Sequence, residues 1–96
     1  MTSSISLGYS RRALSNITEI FQYTHDTWGS DQEGRYKDIL DNAFDLIQRF
    51  PDIGHPVEGR QSSIRAYHLR HHIIEYRREP DRIVILRIVS PRRGHR

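Results

Sequence analysis

Apolar residues recur at helical spacing early in the chain. The first set, with members three or four residues apart, is Leu14, Ile17, Phe21, Thr24 and Trp28. This period is typical of an amphipathic α-helix, so we predict a helix near residues 11–28. Ser10 is a suitable N-cap for this helix, and Gly29 ends it as a left-handed residue. Because Trp28 lies on the apolar stripe, we expect its indole to pack in the core.

A second apolar stripe follows Gly29. Its members are Tyr36, Ile39, Leu40, Ala43, Phe44, Ile47 and Phe50. Ser30 and Glu33 have the spacing of a capping box, which predicts that a helix begins at Ser30. Pro51 stops this helix, because the residue before a proline disfavours helical geometry. Two long helices joined by a loop of about two residues form an αα-hairpin.

The second half of the chain has the short apolar runs of β-strands. The runs rich in β-branched and aromatic residues are 64–69, 72–76 and 83–89. Pro80 and Asp81 form a turn before the last run, and Ile5 and Leu7 alternate with serines in a short first strand. The order β-α-α-β-β-β predicts a single α+β domain over residues 1–96. In this domain the helical hairpin packs on a small antiparallel sheet.

The composition excludes several kinds of site. The chain has 96 residues and no cysteine, which rules out disulfides, thiolate nucleophiles and cysteine-based zinc sites. The N-terminus lacks the basic and apolar regions of a signal peptide. No apolar run approaches the roughly 20 residues that span a bilayer. We therefore expect a soluble, cytoplasmic protein that needs no membrane and no cofactor.

Positive charge is concentrated in the second half of the chain. Residues 1–50 carry five Arg or Lys against seven acids, whereas residues 51–96 carry ten arginines against five acids. The two halves therefore have net charges of −2 and +5. A cationic half suggests an anionic partner, either nucleic acid or an acidic protein surface, with a solvated basic surface as the plain alternative.

Histidines and arginines in the second half raise the question of RNA cleavage. Such a site needs an acid or base near the 2′-hydroxyl and cations around the phosphate. The candidates are His68, His71, His72 and His95 for the first role and Arg65, Arg92 and Arg93 for the second. His71 and His72 are neighbours in a strand, so they point to opposite faces and cannot share a substrate. We assign no catalytic residue, and because His68, His71, His72 and Glu75 match no known ligand spacing, we predict no metal site.

Arg87 is a charged residue within an otherwise apolar strand. Strand alternation places it on the same face as Ile85 and Val89. An unpaired buried charge is costly, so the guanidinium needs a partner, for which Glu75 and Asp45 are candidates. The alternative is that Arg87 lines a binding groove.

Five segments in a fixed order carry a family resemblance. They are Y-T-H-D-T-W-G (23–29), F-P-D-I-G-H-P (50–56), I-R-A-Y (64–67), H-H-I-I-E-Y-R (71–77) and I-V-I-L-R-I-V (83–89). Together they resemble the ParE branch of the ParE/RelE superfamily, the toxins of type II toxin–antitoxin modules. The resemblance covers nearly the whole chain and implies a small α+β toxin that is held inactive by a cognate antitoxin in a hetero-oligomer.

The resemblance also implies candidate binding residues. ParE-type toxins act on DNA gyrase, and the positions implied for target binding are Arg65, Arg87, Arg92 and Arg93. The antitoxin wraps the toxin along the helical hairpin and the sheet, as a helix in a groove or as an added strand. The candidate antitoxin contacts are Arg11, Arg12, Arg35, Lys37, Arg65, Tyr76 and Arg87. Tyr76 is also a candidate core residue with its hydroxyl at the rim.

Departures from the related nucleases favour a binding inhibitor over an enzyme. RelE-type toxins cleave messenger RNA in the ribosome and share a lysine-bearing strand, an arginine in the next strand and a basic–aromatic C-terminal pair. Here the first of these strands has no lysine, Ile73 stands at the arginine position and no tyrosine follows Arg93. We expect a gyrase inhibitor. The alternatives are a ribosome-dependent endoribonuclease that uses Arg65, Arg92, Arg93 and His95, and a nontoxic antitoxin-binding module.

Overall fold

Two helices and five strands make up the fold in the computed structural model, which describes residues 5–91. In chain order they are β1 (Ser6–Tyr9), α1 (Arg11–Trp28), α2 (Ser30–Arg49), β2 (His55–Pro56), β3 (Ile64–His68), β4 (Ile73–Arg78) and β5 (Arg82–Val89). The predicted α+β class, both helices and the four predicted strands are confirmed. The short β2 is an addition, because residues 51–62 show no periodicity that would indicate a strand. None of the helices within residues 5–91 has the length and apolar character needed to cross a membrane.

The five strands form one mixed sheet in the order β1-β5-β4-β3-β2. Strands β2 to β5 pair antiparallel, whereas β1 pairs parallel with β5, with Ser6 opposite Arg82 and Tyr9 opposite Ile85. The expectation of a wholly antiparallel sheet was therefore wrong at this one edge. Sequence neighbours joined by a short turn must pair antiparallel, but β1 and β5 are separated by the rest of the chain, so no turn fixes their direction.

The N-terminal part of α1, with its cap residue Ser10, is hydrogen-bonded to β5 beyond the end of β1. The Ser10 hydroxyl accepts the N–H of Ala13, which confirms the predicted cap, and donates to the Leu86 carbonyl at 2.7 Å. The Asn16 side-chain oxygen accepts the N–H of Ile88 at 3.0 Å. Two short polar side chains thus satisfy main-chain groups of β5 that have no partner strand.

The turn between the helices consists of Gly29 alone. Its φ of 93° and ψ of 174° belong to a region that is essentially restricted to glycine, and its N–H donates to the His25 carbonyl. The predicted capping box is wrong, because α2 already begins at Ser30 and Gly29 occupies the cap position without a side-chain hydrogen bond. Glu33 instead lies 3.0 Å from Nδ1 of His25, where it joins the two helices.

The core lies between α2 and the facing side of the sheet. Helix α2 contributes Tyr36, Leu40, Ala43, Phe44 and Ile47, and the strands contribute Ile74, Tyr76, Ile83, Ile85 and Ile88. Helix α1 contributes the fully buried Ala13. The expectation that Trp28 is buried was wrong, because its side chain is 67% exposed. The buried line of α1 runs through Ala13 and Thr24, and Trp28 lies at the margin of that line, at the last helical residue.

Candidate functional site

A β-bulge between β4 and β5 decides which side chains reach the open face of the sheet. Tyr76 pairs with Ile85, but the preceding Glu75 pairs with Arg87, so Leu86 is an extra residue in β5. Consecutive residues of β4 point to opposite faces, and Arg87 therefore lies on the face opposite to Ile85. The prediction that Arg87 shares a face with Ile85 was wrong for this reason. Val89, which pairs with Ile73, does share the face of Arg87.

Arg87 is held by a two-point ion pair on this open face. Its Nε and Nη2 atoms donate to the two carboxylate oxygens of Glu75 at 3.0 and 3.2 Å, in the fork geometry of an arginine–carboxylate pair. This hydrogen bonding raises the pKa of Arg87 above its ordinary value. Arg60 approaches the same carboxylate oxygen, Oε1, with its Nη1 atom 3.5 Å away. The predicted Glu75 partner is confirmed, while Asp45, the other candidate, pairs with Arg49.

The ion pair forms part of an open cleft of about 650 Å³, which we call the arginine cleft. Its lining residues are Arg12, Gly59, Arg60, Gln61, Ile64, Glu75, Arg77, Leu86 and Arg87. Arg77 is positioned by Glu79, whose carboxylate accepts its Nε–H at 2.7 Å. The Arg77 and Arg82 hydrogen bonds lower the pKa of Glu79. As far as residues 5–91 define it, the lining therefore presents four guanidinium groups and one carboxylate.

Arg65 is directed away from this cleft. It pairs with Tyr76 across β3 and β4, which places it on the helix-covered side of the sheet. Its Nε donates to the Gly54 carbonyl at 2.8 Å and its Nη2 to the Asp52 carbonyl at 3.3 Å. Arg65 therefore fixes the segment that joins α2 to β2, and its predicted contacts with target and antitoxin stay predictions.

Tyr76 holds the same segment, between α2 and β2, through its hydroxyl group. Its hydroxyl donates to the Pro51 carbonyl at 2.7 Å and accepts the N–H of Gly54 at 3.0 Å. The side chain is fully buried, as the core alternative expects, and its predicted antitoxin contact stays a prediction. A Cβ atom on Gly54 would lie 2.7 Å from the Ala66 carbonyl oxygen, which explains the glycine. The F-P-D-I-G-H-P segment is thus folded around one tyrosine hydroxyl.

The remaining predicted residues lie apart from one another. Arg11, Arg35 and Lys37 are exposed on the helices, and Lys37 pairs with Asp41 at 2.9 Å. Of the predicted antitoxin contacts, Arg12 and Arg87 share the arginine cleft. Three other predicted residues, Arg92, Arg93 and His95, lie outside the described residues.

The candidate histidines are dispersed as well. His68 stacks against His55 with ring centroids 4.9 Å apart, and the exposed His71 follows β3. His72 is half-buried and hydrogen-bonded through Nδ1 to the Tyr36 hydroxyl. Burial lowers the pKa of His72 and raises the pKa of Tyr36 to about 12. In the described part of the chain, no group of three or more His, Asp or Glu side chains is placed to hold a metal ion.

Sequence reasoning missed the exposed apolar side chains beside the core. On the α2 side, Ile39 is 46% exposed, Phe50 54% and Ile53 40%, and on α1 both Leu14 and Tyr23 are exposed. Ile39 and Phe50 are eleven residues apart, about three helical turns, so they lie on one side of α2. The periodicity that includes them in an apolar stripe does not distinguish a buried face from a face left for a partner.

Comparisons with known proteins agree with this architecture. Residues 7–94 match the family model described as the ParE toxin of the type II toxin–antitoxin system parDE. Toxin ParE1 of Caulobacter vibrioides is 29% identical over 68 residues, which are 71% of each chain.

Two solved structures share the fold at low sequence identity. A chain of the chromosomal ParDE toxin–antitoxin system of P. aeruginosa superposes with a TM-score of 0.76 at 18% identity, covering 91% of this chain and 96% of that one. A chain of the RelBE2 toxin–antitoxin complex of Mycobacterium tuberculosis gives 0.69 at 14% identity, covering 92% and 99%. With its family match over most of the sequence, this chain belongs to the ParE toxin family of type II toxin–antitoxin systems.

Proposed function

We propose that this toxin inhibits DNA gyrase by binding and is neutralised by an antitoxin segment that covers the apolar side of α2. The observation that carries the antitoxin part is a set of three exposed apolar side chains: Ile39 on α2, Phe50 at the C-terminal end of α2, and Ile53 three residues later. Large apolar side chains grouped on one side of a small protein mark a surface for a partner. The two structural neighbours described above come from toxin–antitoxin systems, which supports the same assignment.

The geometry next to α2 suits an amphipathic segment. Helix α1 packs against α2, β1 and β5, whereas β3 contacts β2 and β4. On β3, Tyr67 is half-buried and pairs with the core residue Ile74, so it faces the helix side of the sheet. An antitoxin helix lying beside α2 would bury Ile39 and Phe50 together with the flank of Tyr67.

A pair of charge substitutions tests this surface. Ile39→Glu combined with Phe50→Glu should weaken antitoxin binding by more than about a hundredfold, because two apolar contacts are replaced by desolvated charges. Leu14→Glu is the control, since Leu14 is similarly exposed but lies on α1. Isothermal titration calorimetry with the purified antitoxin measures the affinity. Equal losses for the α1 and α2 variants would rule out the α2 surface.

The target is tested separately with purified gyrase and relaxed plasmid. We expect the toxin to block ATP-dependent supercoiling and the antitoxin to restore it. Leaving out the antitoxin in one arm and the toxin in another separates inhibition from neutralisation. Full supercoiling activity with toxin in large excess over gyrase would exclude this target.

The endoribonuclease alternative has less support from the geometry. Arg65, one of its four residues, lies on the helix side of the sheet and bonds to two loop carbonyls. Within residues 5–91, the lining of the arginine cleft includes no histidine. We therefore expect no cleavage of messenger RNA in a primed ribosome assay, and cleavage abolished by Arg92→Ala with Arg93→Ala would reverse this choice.

A further inference from the structure

We propose that the arginine cleft on the open face of the sheet is a binding site for the phosphate backbone of nucleic acid, and that Glu75 acts in it as an internal competitor. The site is distinct from the α2 surface assigned to the antitoxin, because the cleft lies on the other side of the sheet. It also does not depend on gyrase being the target.

The lining of the cleft carries more positive than negative charge. Arg12, Arg60, Arg77 and Arg87 line the cleft with Glu75. Glu79 pairs with Arg77 from outside the lining, so the four arginines and the two carboxylates leave a net charge of +2 at a cleft of about 650 Å³. Like charges at such proximity repel one another, and a bound polyanion relieves this repulsion. Among the described residues, the cleft therefore has a surplus of cations that its own carboxylate does not neutralise.

Two guanidinium groups of the cleft approach the Glu75 carboxylate. Arg87 Nε and Arg60 Nη1 converge on a single carboxylate oxygen, Oε1, from 3.0 and 3.5 Å. Two guanidinium groups directed at one oxygen are the arrangement that binds phosphate and carboxylate oxyanions. The Glu75 carboxylate thus occupies the position where an external oxyanion would be held, and its removal should leave both donors available.

The β-bulge at Leu86 places Arg87 in the cleft. In a regular ladder, with Leu86 paired instead of bulged, strand alternation would leave Arg87 on the helix-covered side with Ile85. Bulges commonly redirect a side chain next to a functional site. Here the bulge brings a guanidinium to the open face, at the cost of a regular ladder in the longest strand.

The distribution of the cations favours a phosphate chain over an acidic peptide. Arg12 comes from α1, Arg60 from the loop before β3, and Arg77 from β4, so the rim offers cations at several points along an open cleft. A backbone with one charge per nucleotide can contact these points in succession. A peptide ligand would also need apolar anchors, but within residues 5–91 the large apolar residues lining the cleft are Ile64, which is buried, and Leu86, which is half-buried.

The experiment uses the full chain and a fluorescein-labelled single-stranded DNA of about ten nucleotides, a length suited to one small site. Fluorescence anisotropy measures the affinity at low salt. Arg77→Ala should weaken binding about tenfold, because a charge-assisted contact is lost. Glu75→Gln should strengthen binding about fivefold, since it removes the competing charge and keeps the shape of the side chain.

The matched control is Arg35→Ala. Arg35 is an exposed residue of α2, on the other side of the sheet, and its substitution removes the same charge from the molecule. It should change the affinity less than about twofold, since a distant surface charge is screened. The slope of the logarithm of the binding constant against the logarithm of the salt concentration should fall by about one phosphate contact's worth in Arg77→Ala. The slope should stay unchanged in Arg35→Ala. Circular dichroism spectra of the variants check that each one is folded.

Several outcomes would overturn the proposal. Equal losses for Arg77→Ala and Arg35→Ala would mean diffuse attraction to a basic protein, and weaker binding in Glu75→Gln would remove the competitor role. Inorganic phosphate that binds as tightly as the oligonucleotide would indicate a small-anion site. Tighter binding of a polyglutamate peptide than of DNA would indicate an acidic protein partner. None of these arms contains gyrase, so their failure leaves the supercoiling test unaffected.

Discussion

The two faces of the sheet are built from the same strands but have opposite chemistry. The covered face presents Ile74, Tyr76 and Ile85 to α2, all fully buried. The open face presents Glu75, Arg77 and Arg87, which line a cleft; Glu75 pairs with Arg87, and Arg77 pairs with Glu79. Alternation along β4 produces this contrast without any change of fold. We therefore expect stability to depend on the residues of the covered face, and binding to depend on the alternating residues of the open face.

Neighbouring residues of β5 give the largest expected difference between the faces. Ile85→Ala should lower the free energy of unfolding by about 3 kcal/mol, because it creates a cavity in the core. Val84→Ala, one residue away on the open face and only half-buried, should cost about 1 kcal/mol. Urea denaturation of both variants measures the difference. Equal costs would mean that the open face contributes to stability as much as the core does.

A pair of glycine substitutions tests the segment that covers Tyr76. Gly54→Ala should destabilise the protein by about 2 kcal/mol, because the new Cβ would lie 2.7 Å from the Ala66 carbonyl oxygen and 2.9 Å from the Tyr76 hydroxyl. Gly34→Ala in α2 is the control, since a Cβ there meets no atom within 4 Å. It should stabilise the helix by up to about 1 kcal/mol. Thermal unfolding should give shifts of opposite sign, and a neutral Gly54→Ala would contradict the described packing.

Protonation of His72 should give the smallest effect. Burial lowers the pKa of this histidine from 6.5 in the folded protein, so the unfolded chain binds the proton more readily. Its contribution to stability is therefore present above about pH 6.5 and is lost as the pH falls through the folded pKa. The unfolding free energy, measured between about pH 7.5 and about pH 5, should fall less steeply in His72→Gln than in the parent protein.

His71, the exposed neighbour of His72, provides the control for this pH dependence. His71→Gln should retain most of the pH dependence, because His71 is exposed and acts on His72 only through its charge. If His71→Gln and His72→Gln flatten the pH profile equally, the burial of His72 is not its source.

Local patterns were sufficient to predict most of the fold. The bounds of α1 agree with the residues expected from spacing, the cap at Ser10 and the glycine at position 29, because these signals depend only on nearby residues. The parallel β1–β5 pairing was not predictable in this way, since it joins segments more than 70 residues apart. Trp28 was misplaced because helical spacing identifies an apolar stripe without showing how far the core extends beneath it.

Less of the candidate site than of the fold could be predicted from the sequence. The Glu75–Arg87 pair was among the predicted alternatives because a charge within an apolar strand needs a partner. The face of Arg87 was predicted incorrectly, since a bulge reverses alternation and leaves no local composition signal here. Arg65 was chosen for its charge, but its two loop contacts depend on the fold of residues 51–56, which had no periodic pattern.

The bonds of Ser10 and Asn16 to β5 limit how a foreign chain can attach to this protein through its backbone. The Leu86 carbonyl and the Ile88 N–H are already hydrogen-bonded to these side chains. A strand from another protein therefore cannot pair with these two groups of β5. At the opposite edge of the sheet, Pro56 of β2 has no backbone N–H to donate. In the described part of the chain, β2 ends its pairing with β3 at Ala66, which leaves the stretch at Tyr67 and His68 open on that side. A peptide captured there could form only a short ladder, so its affinity would have to come mainly from its side chains.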